Sequence, residues 1–249
     1  MAAASKLQKA SERRRAARFL AEGPNLVEAA LRRGVVEEVY ATEAASERFA
    51  ALLTGATVQL VTERAAKALS DTVTPVGLVA VCQTPVVDLS VILAGSPQLV
   101  AVAVETSDPG NAGTLIRLAD AMGAAALILA GNSVDPYNPK CLRSSAGSIF
   151  TLPVVSVADT RGLIRDLVFA ELVVMATTLD GERSLDSLDL SVPTAWLFGS
   201  EAHGLPADVA AAADVRVTIP MAGGAESLNV AAAAAICLYQ SAAAHRAAG

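Results

Sequence analysis

Three short polar stretches interrupt an otherwise apolar C-terminal half, and they hold the side chains best suited to chemistry. In the last, IPMAGGAESLNVAAAAA over residues 219–235, an apolar run enters Pro220 and the pair Gly223-Gly224. Glu226, Ser227, Leu228 and Asn229 then precede an alanine-rich run. The spacing predicts a strand end, a tight loop and a long helix beginning near Ser227. Paired glycines let backbone approach a ligand closely, or take positive φ, without a Cβ penalty. Taken alone, ESLN is also accounted for by an ordinary loop with Ser227 as N-cap.

The first stretch, residues 108–117, joins a buried strand to a helix, where open α/β sheets place their ligand sites. Asn111 could cap that helix. Arg117, between Ile116 and Leu118 on a largely apolar helix, needs an anion for its guanidinium, a carboxylate or a phosphate. The second stretch, residues 197–205, again ends a strand in Gly199, polar residues and Gly204. Gly199 suits close backbone contact with an adenosine-like ligand, and Glu201 is a candidate partner for Arg117. His203 reads as a surface loop histidine rather than a base. Neither loop matches G-x-G-x-x-G or a phosphate-binding P-loop, which sets NAD and ATP aside.

These stretches need a scaffold. Residues 5–18 read as a basic helix, and residues 19–22, 35–41, 57–61 and 76–81 as strands alternating with helices over 25–33, 44–53 and 63–69. That is a small α/β domain over residues 19–84, preceded by an arm over residues 1–18. Residues 85–97, broken by Pro85, Gly95 and Pro97, read as a linker. Residues 98–249 read as a second α/β domain with a mostly parallel sheet. Its strands are expected at residues 99–104, 125–130, 172–176, 194–198 and 215–219 and its helices at 112–122, 138–145, 161–168, 207–213 and 227–245.

The chain has 249 residues, 53% hydrophobic and 18% charged, ample for sizeable cores. No uncharged apolar run reaches the ~20 residues a membrane span needs, and the N-terminal stretch lacks the apolar region of a secretory signal. Three widely spaced cysteines, Cys82, Cys141 and Cys237, fit buried thiols in a reducing cytoplasm. Two histidines without a cysteine pair argue against a metal site. Net charge is −6, yet Lys6, Lys9, Arg13, Arg14, Arg15 and Arg18 against Glu12 give residues 1–18 a net +5, leaving −11 on the rest. A basic arm on an acidic body suits phosphate binding as well as it suits a solvated helix face.

In order along the chain, Asn111…Gly113…Arg117, then FGSEAHGL over residues 198–205, then IPMAGGAESLNVAAA over residues 219–233, resemble the three linked motifs of the SpoU (TrmH-like) branch of the SPOUT methyltransferases. The resemblance covers about residues 97–249. Residues 19–83 resemble, less specifically, the small RNA-binding domain many members carry ahead of the catalytic one. The family implies a sheet whose C-terminal segment makes a deep trefoil knot, a homodimer through the C-terminal domain, and methyl transfer from S-adenosylmethionine to a ribose 2′-hydroxyl of RNA. By motif position, Asn111, Arg117, Glu201, Ser227 and Asn229 would carry catalysis. Thr177, Gly199, Ser200, Ile219, Met221 and Leu228 would hold S-adenosylmethionine, largely through backbone groups. Arg13, Arg14, Arg15 and Arg18 of the arm, with Arg143, would contact RNA. The extra N-terminal domain favours ribosomal RNA over tRNA. An inactive RNA-binding module of the same fold is the competing class; loss of Arg117, Glu201 or Asn229 would have favoured it, and all three are present.

Overall fold

The structure, a computed structural model, describes residues 1–248. In chain order the elements are α1 (Ala2–Lys6), α2 (Ala10–Ala16), β1 (Arg18–Glu22), α3 (Pro24–Arg33), β2 (Val36–Ala41), α4 (Glu43–Arg48), β3 (Val58–Leu60), α5 (Glu63–Leu69) and β4 (Leu78–Gln83). There follow α6 (Leu89–Ala94), β5 (Leu99–Val104), α7 (Pro109–Ala121), β6 (Ala126–Ala130), α8 (Pro139–Ser145), β7 (Val154–Val157) and α9 (Thr160–Phe169). Last come β8 (Val173–Thr177), β9 (Arg183–Ser184), β10 (Thr194–Phe198), α10 (Ala207–Ala211), β11 (Val215–Thr218) and α11 (Val230–Ala248). By contacts the chain forms two compact units, one of Met1–Val86 with Asp135–Thr151, the other of Val87–Val134 with Leu152–Gly249. The segment Asp135–Thr151, read from sequence as part of the C-terminal domain, thus makes its contacts with the first unit.

The first unit is a four-stranded mixed sheet in the order β1-β4-β2-β3. Its helices are bounded by local chemistry. Pro24 opens α3 and Gly34, at φ 74°, closes it; Thr42 and Thr62 cap α4 and α5 by accepting the N–H of Ala45 and Ala65. The basic stretch over residues 5–18 is not one helix. It breaks between α1 and α2, where the Arg13 guanidinium takes the Leu7 and Gln8 carbonyls at 3.0 and 2.9 Å. Those carbonyls would otherwise be orphaned at a helix end. Phe19 is fully buried, its ring 4.6 Å from that of Tyr137 and 6.0 Å from that of Phe150.

The second unit is a seven-stranded sheet, all parallel, in the order β7-β6-β5-β10-β8-β11-β9. The continuous apolar runs of β5, β6 and β10 are buried on both faces, as a doubly covered parallel sheet requires. In register with Ala101 and Met175, Trp196 is fully buried and its indole N–H donates to Ser241 on α11 at 2.9 Å, fixing the last helix to the sheet. Besides the two-residue edge strand β9, two elements escaped the sequence reading. Residues 85–97 carry α6, capped by the Asp88 carboxylate on the Ser90 N–H. The edge strand β7 follows Pro153 and is only partly buried, so its apolar signal is short. Among the described residues no helix is long and apolar enough to cross a membrane.

Candidate functional site

The carboxyl ends of β8, β10 and β11 open into a cleft of about 440 Å³, lined by residues 177–179, 199–204, 217–219, Met221, Ser227, Leu228, Val230 and Ala233. Thr177 at the end of β8 and Gly199, Ser200, Ile219, Met221 and Leu228 from the two loops after β10 and β11 all meet there. The packing of these loops explains the glycines. A Cβ on Gly199 would sit 2.1 Å from the Gly204 carbonyl carbon, because Ser200 and Gly204 exchange backbone hydrogen bonds of 3.1 and 2.8 Å and fold the loop back on itself. A Cβ on Gly181 would sit 2.4 Å from the Thr218 nitrogen, so the segment after β8 passes directly against β11. The Thr177 hydroxyl is spent on the Leu197 carbonyl at 2.9 Å and ties two strand ends. Next to it, the buried Thr178 hydroxyl has no hydrogen-bond partner among the described residues.

A second cavity of about 340 Å³ adjoins the first, sharing Ser200, Glu201, Ala202, His203 and Val230 and adding Glu105, Thr106, Ser107, Asp108, Asn111 and Asn132. Asn111 faces this cavity but does not cap α7. The cap is Asp108, whose carboxylate accepts the Asn111 N–H at 2.9 Å. The helix therefore starts at Pro109, three residues before the sequence expectation.

On the shared wall, the Asn229 carboxamide donates to the Glu201 carboxylate while its oxygen accepts the N–H groups of Ala231 and Ala232 at 2.9 and 3.4 Å. This corrects two expectations. The final helix begins at Val230, capped by Asn229 and not Ser227, which lines the cleft in an exposed loop. Glu201 is engaged by Asn229 and not by Arg117. Arg117 is exposed on α7, lines neither cavity, and has no hydrogen bond or ion pair among the described residues. His203 is exposed and lines both cavities.

The arginines expected to meet RNA are in different circumstances. Arg13 is 5% exposed, with its guanidinium held by Asp135 at 2.6 Å and by two carbonyls, so it is an internal anchor and presents no charge to a nucleic acid. Arg15, Arg18 and Arg143 are at the surface in ion pairs with Glu12, Glu37 and Asp71. Arg14 is exposed and unpaired among the described residues. Sequence reasoning missed Asp108, Thr178, and the pair Glu105 and Asn132. Asp108 was legible as a cap three residues before Asn111; the others are single polar residues at strand ends whose position only the fold reveals.

An all-parallel sheet with looped-back strand ends around one cleft is the architecture of the SpoU-type methyltransferases. It matches the SpoU methyltransferase AviRb of Streptomyces viridochromogenes, in complex with AdoMet, with a TM-score of 0.89 at 32% identity over 100% of this chain and 98% of that one. An AdoMet-bound rRNA methyltransferase of Sinorhizobium meliloti matches with a TM-score of 0.83 at 31% identity, over 96% and 92%. In sequence, the 23S rRNA (guanosine(2553)-2′-O)-methyltransferase RlmP of Bacillus subtilis is 35% identical over 238 residues, 94% of this chain and 92% of that protein. Residues 98–239 match the SpoU rRNA Methylase family and residues 2–80 the MRM3-like substrate binding domain. The chain belongs to the SpoU rRNA methylase family.

Proposed function

We propose that this protein transfers a methyl group from S-adenosylmethionine to a ribose 2′-hydroxyl of ribosomal RNA. The observation that carries the reading is the convergence of Thr177, Gly199, Ile219, Met221 and Leu228 on one cleft, with the Glu201–Asn229 pair on the wall it shares with a second, polar cavity. The cleft fits the proposed cofactor. Its volume lies in the ordinary range for small-ligand sites, Ile219, Met221 and Leu228 give apolar surface for an adenine ring, and the unpartnered Thr178 hydroxyl offers a hydrogen bond. When bound, S-adenosylmethionine supplies an already activated methyl on a sulfonium. The chain has then to hold the hydroxyl in line, and positioning alone can contribute several kcal/mol.

Arg117 is assigned the RNA phosphate next to the reacting ribose, and Asn111 and Ser227 polar contacts on the two cavities. Guanidinium stays protonated in proteins, so Arg117 clamps and orients rather than accepts the proton. Its free, solvent-facing guanidinium supports that role, and its absence from both cavities of its own chain supports a homodimer in which it completes the partner's site. Exposed Ile236 and Tyr239 on α11 give such a dimer an apolar contact. The close passages at Gly181 and Gly199 support the trefoil knot. The reading further takes the protein as cytoplasmic, residues 19–84 as the RNA-binding domain behind a 1–18 arm, residues 98–249 as the catalytic domain beyond an 85–97 linker, and Arg14, Arg15, Arg18 and Arg143 as RNA contacts, their surface pairs being weak enough to exchange for phosphates. Similarity to named rRNA enzymes along nearly the whole chain favours rRNA; a structure described as 2-OH methylation of C/U34 on tRNA matches only 62% of it.

The test is transfer of labelled methyl to deproteinised rRNA and, separately, to bulk tRNA. Label in alkali-resistant dinucleotides of rRNA, lost in Arg117→Ala and in Glu201→Ala but regained when the two variants are mixed as heterodimers, is the expected result. Absence of both S-adenosylmethionine binding and transfer would sink the reading.

A further inference from the structure

The second cavity has an unusual wall. Glu105, the first residue past β5, holds a left-handed backbone at φ 52°, a conformation that side-chain-bearing residues avoid unless the surroundings impose it. Here they do. The Glu105 N–H donates to the Ala130 carbonyl at 3.0 Å and the Thr106 N–H to the Ser133 hydroxyl at 3.1 Å, stapling the ends of β5 and β6 together. Gly131 leaves the room. A Cβ there would press to 3.2 Å of the Glu105 Cγ. The result sets Glu105 in the cavity wall with no hydrogen bond or ion pair of its own among the described residues, in a lining that also holds the equally uncommitted Asn132 carboxamide. Thr106, 3% exposed, lines the same wall with a hydroxyl that has no partner among them either.

The charge of the lining says what enters. It contains Glu105, Asp108 and Glu201 and no lysine or arginine. Asp108 caps α7 and Glu201 is held by Asn229, leaving Glu105 free to receive. Such a pocket disfavours a phosphate and asks for an occupant that brings donors. Of the four RNA bases, only guanine carries two adjacent donors, N1–H and the N2 amino group, on its pairing edge, and these match the two oxygens of one carboxylate. Uracil would turn a carbonyl toward it, and adenine and cytosine would offer one donor beside an acceptor.

We infer that this cavity receives the base of the target nucleotide and that Glu105, assisted by Asn132, selects guanine. An unstacked base held by its pairing edge is how enzymes that modify nucleotides usually read them. The shared wall at residues 200–203 then sets its ribose beside the cofactor cleft. This rests on the methyltransferase reading for the reaction but not for the binding.

Two measurements on the full-length protein separate them. In the first, guanosine, adenosine, cytidine and uridine monophosphates are titrated while the Asn132 side-chain amide is followed by NMR. Guanosine monophosphate is expected to bind at least tenfold more tightly than the others, and Glu105→Gln, which exchanges one acceptor for a donor, to abolish the preference without lowering the thermal midpoint or the affinity for S-adenosylmethionine. Equal response to the four nucleotides, or a preference that survives in Glu105→Gln, would overturn the proposal. In the second, methylated rRNA is digested to nucleosides. Label in 2′-O-methylguanosine is expected; label in any other nucleoside overturns the base assignment while leaving the methyltransferase reading intact. Guanine-selective binding without methyl transfer to any RNA would instead sink that reading and keep the pocket.

Discussion

Asn229 serves two masters through one side chain. Its carboxamide oxygen caps α11, and its NH2 group holds Glu201. Substitution can separate the roles. Asn229→Ala removes both and costs about 1 kcal/mol of stability for the lost cap. Asn229→Asp keeps a capping acceptor but sets a second carboxylate against Glu201. The expected outcome is a thermal midpoint near wild type for Asn229→Asp, below it for Asn229→Ala, and methyl-transfer rates at least about tenfold down in both, a barrier increase of about 1.4 kcal/mol. Full activity in Asn229→Asp would leave Glu201 orientation without a function. At Gly199 the constraint is steric. Any Cβ collides with backbone at 2.1–2.2 Å, which no side-chain rotation relieves. Gly199→Ala is expected to weaken S-adenosylmethionine binding by more than about tenfold by calorimetry, about 1.4 kcal/mol, because the loop must unfold from itself to make room.

Among the elements, the arm shows how composition misleads. Six basic residues in eighteen suggest a nucleic-acid contact, yet Arg13 holds α1 to α2 and takes Asp135, at 18% exposure, as a near-buried partner. Arg13→Ala leaves two carbonyls without a donor and the Asp135 carboxylate without its cation, held only by the Tyr137 N–H at 2.9 Å, and is expected to cost about 3 kcal/mol in urea unfolding, near the low end for broken buried pairs because Asp135 keeps that donor and some water. Arg14→Ala, on the exposed side of the same helix, should change stability by less than about 0.5 kcal/mol and lower RNA affinity instead. The same contrast explains what was legible. Buried runs such as residues 99–104 and 194–198 announce their strands because both faces are covered. The three polar stretches announce the site because glycine and polar residues at strand ends have few other uses. The cap at Asp108 is local, three residues from its partner, and was legible though missed; the Asn229–Glu201 pair and the role of Arg13 depend on residues 28 and 122 apart meeting in space, and only the first lies within stretches the motifs mark. α6 was hidden by the proline and glycine that bound it.

For the whole molecule the balance is set by buried neutral groups. Burial pushes the Cys82 and Cys237 thiols up to about 12, and burial with the Asp135 charge pushes the Tyr137 hydroxyl up to about 12, from ordinary values of 9.0 and 10.0. The folded chain therefore keeps its protons where the unfolded chain releases them. Each raised group contributes stability that is complete below its unfolded value and is lost as pH rises toward about 12, a tenfold difference in proton affinity between folded and unfolded chain being worth about 1.4 kcal/mol. The thermal midpoint should thus be flat from neutrality to about pH 8.5 and fall steeply between about pH 9 and 12. Tyr137→Phe, which has no proton to lose, should remove part of the slope above pH 10 while leaving the neutral-pH midpoint nearly unchanged. The thiols give an independent reading, since all three cysteines are buried and outside any disulfide. A thiol reagent at pH 8 should label none in the native protein and three in denaturing guanidinium; prompt labelling of Cys82 or Cys237 in the native state, or a flat midpoint across the alkaline range, would show that these groups are not held neutral by the fold.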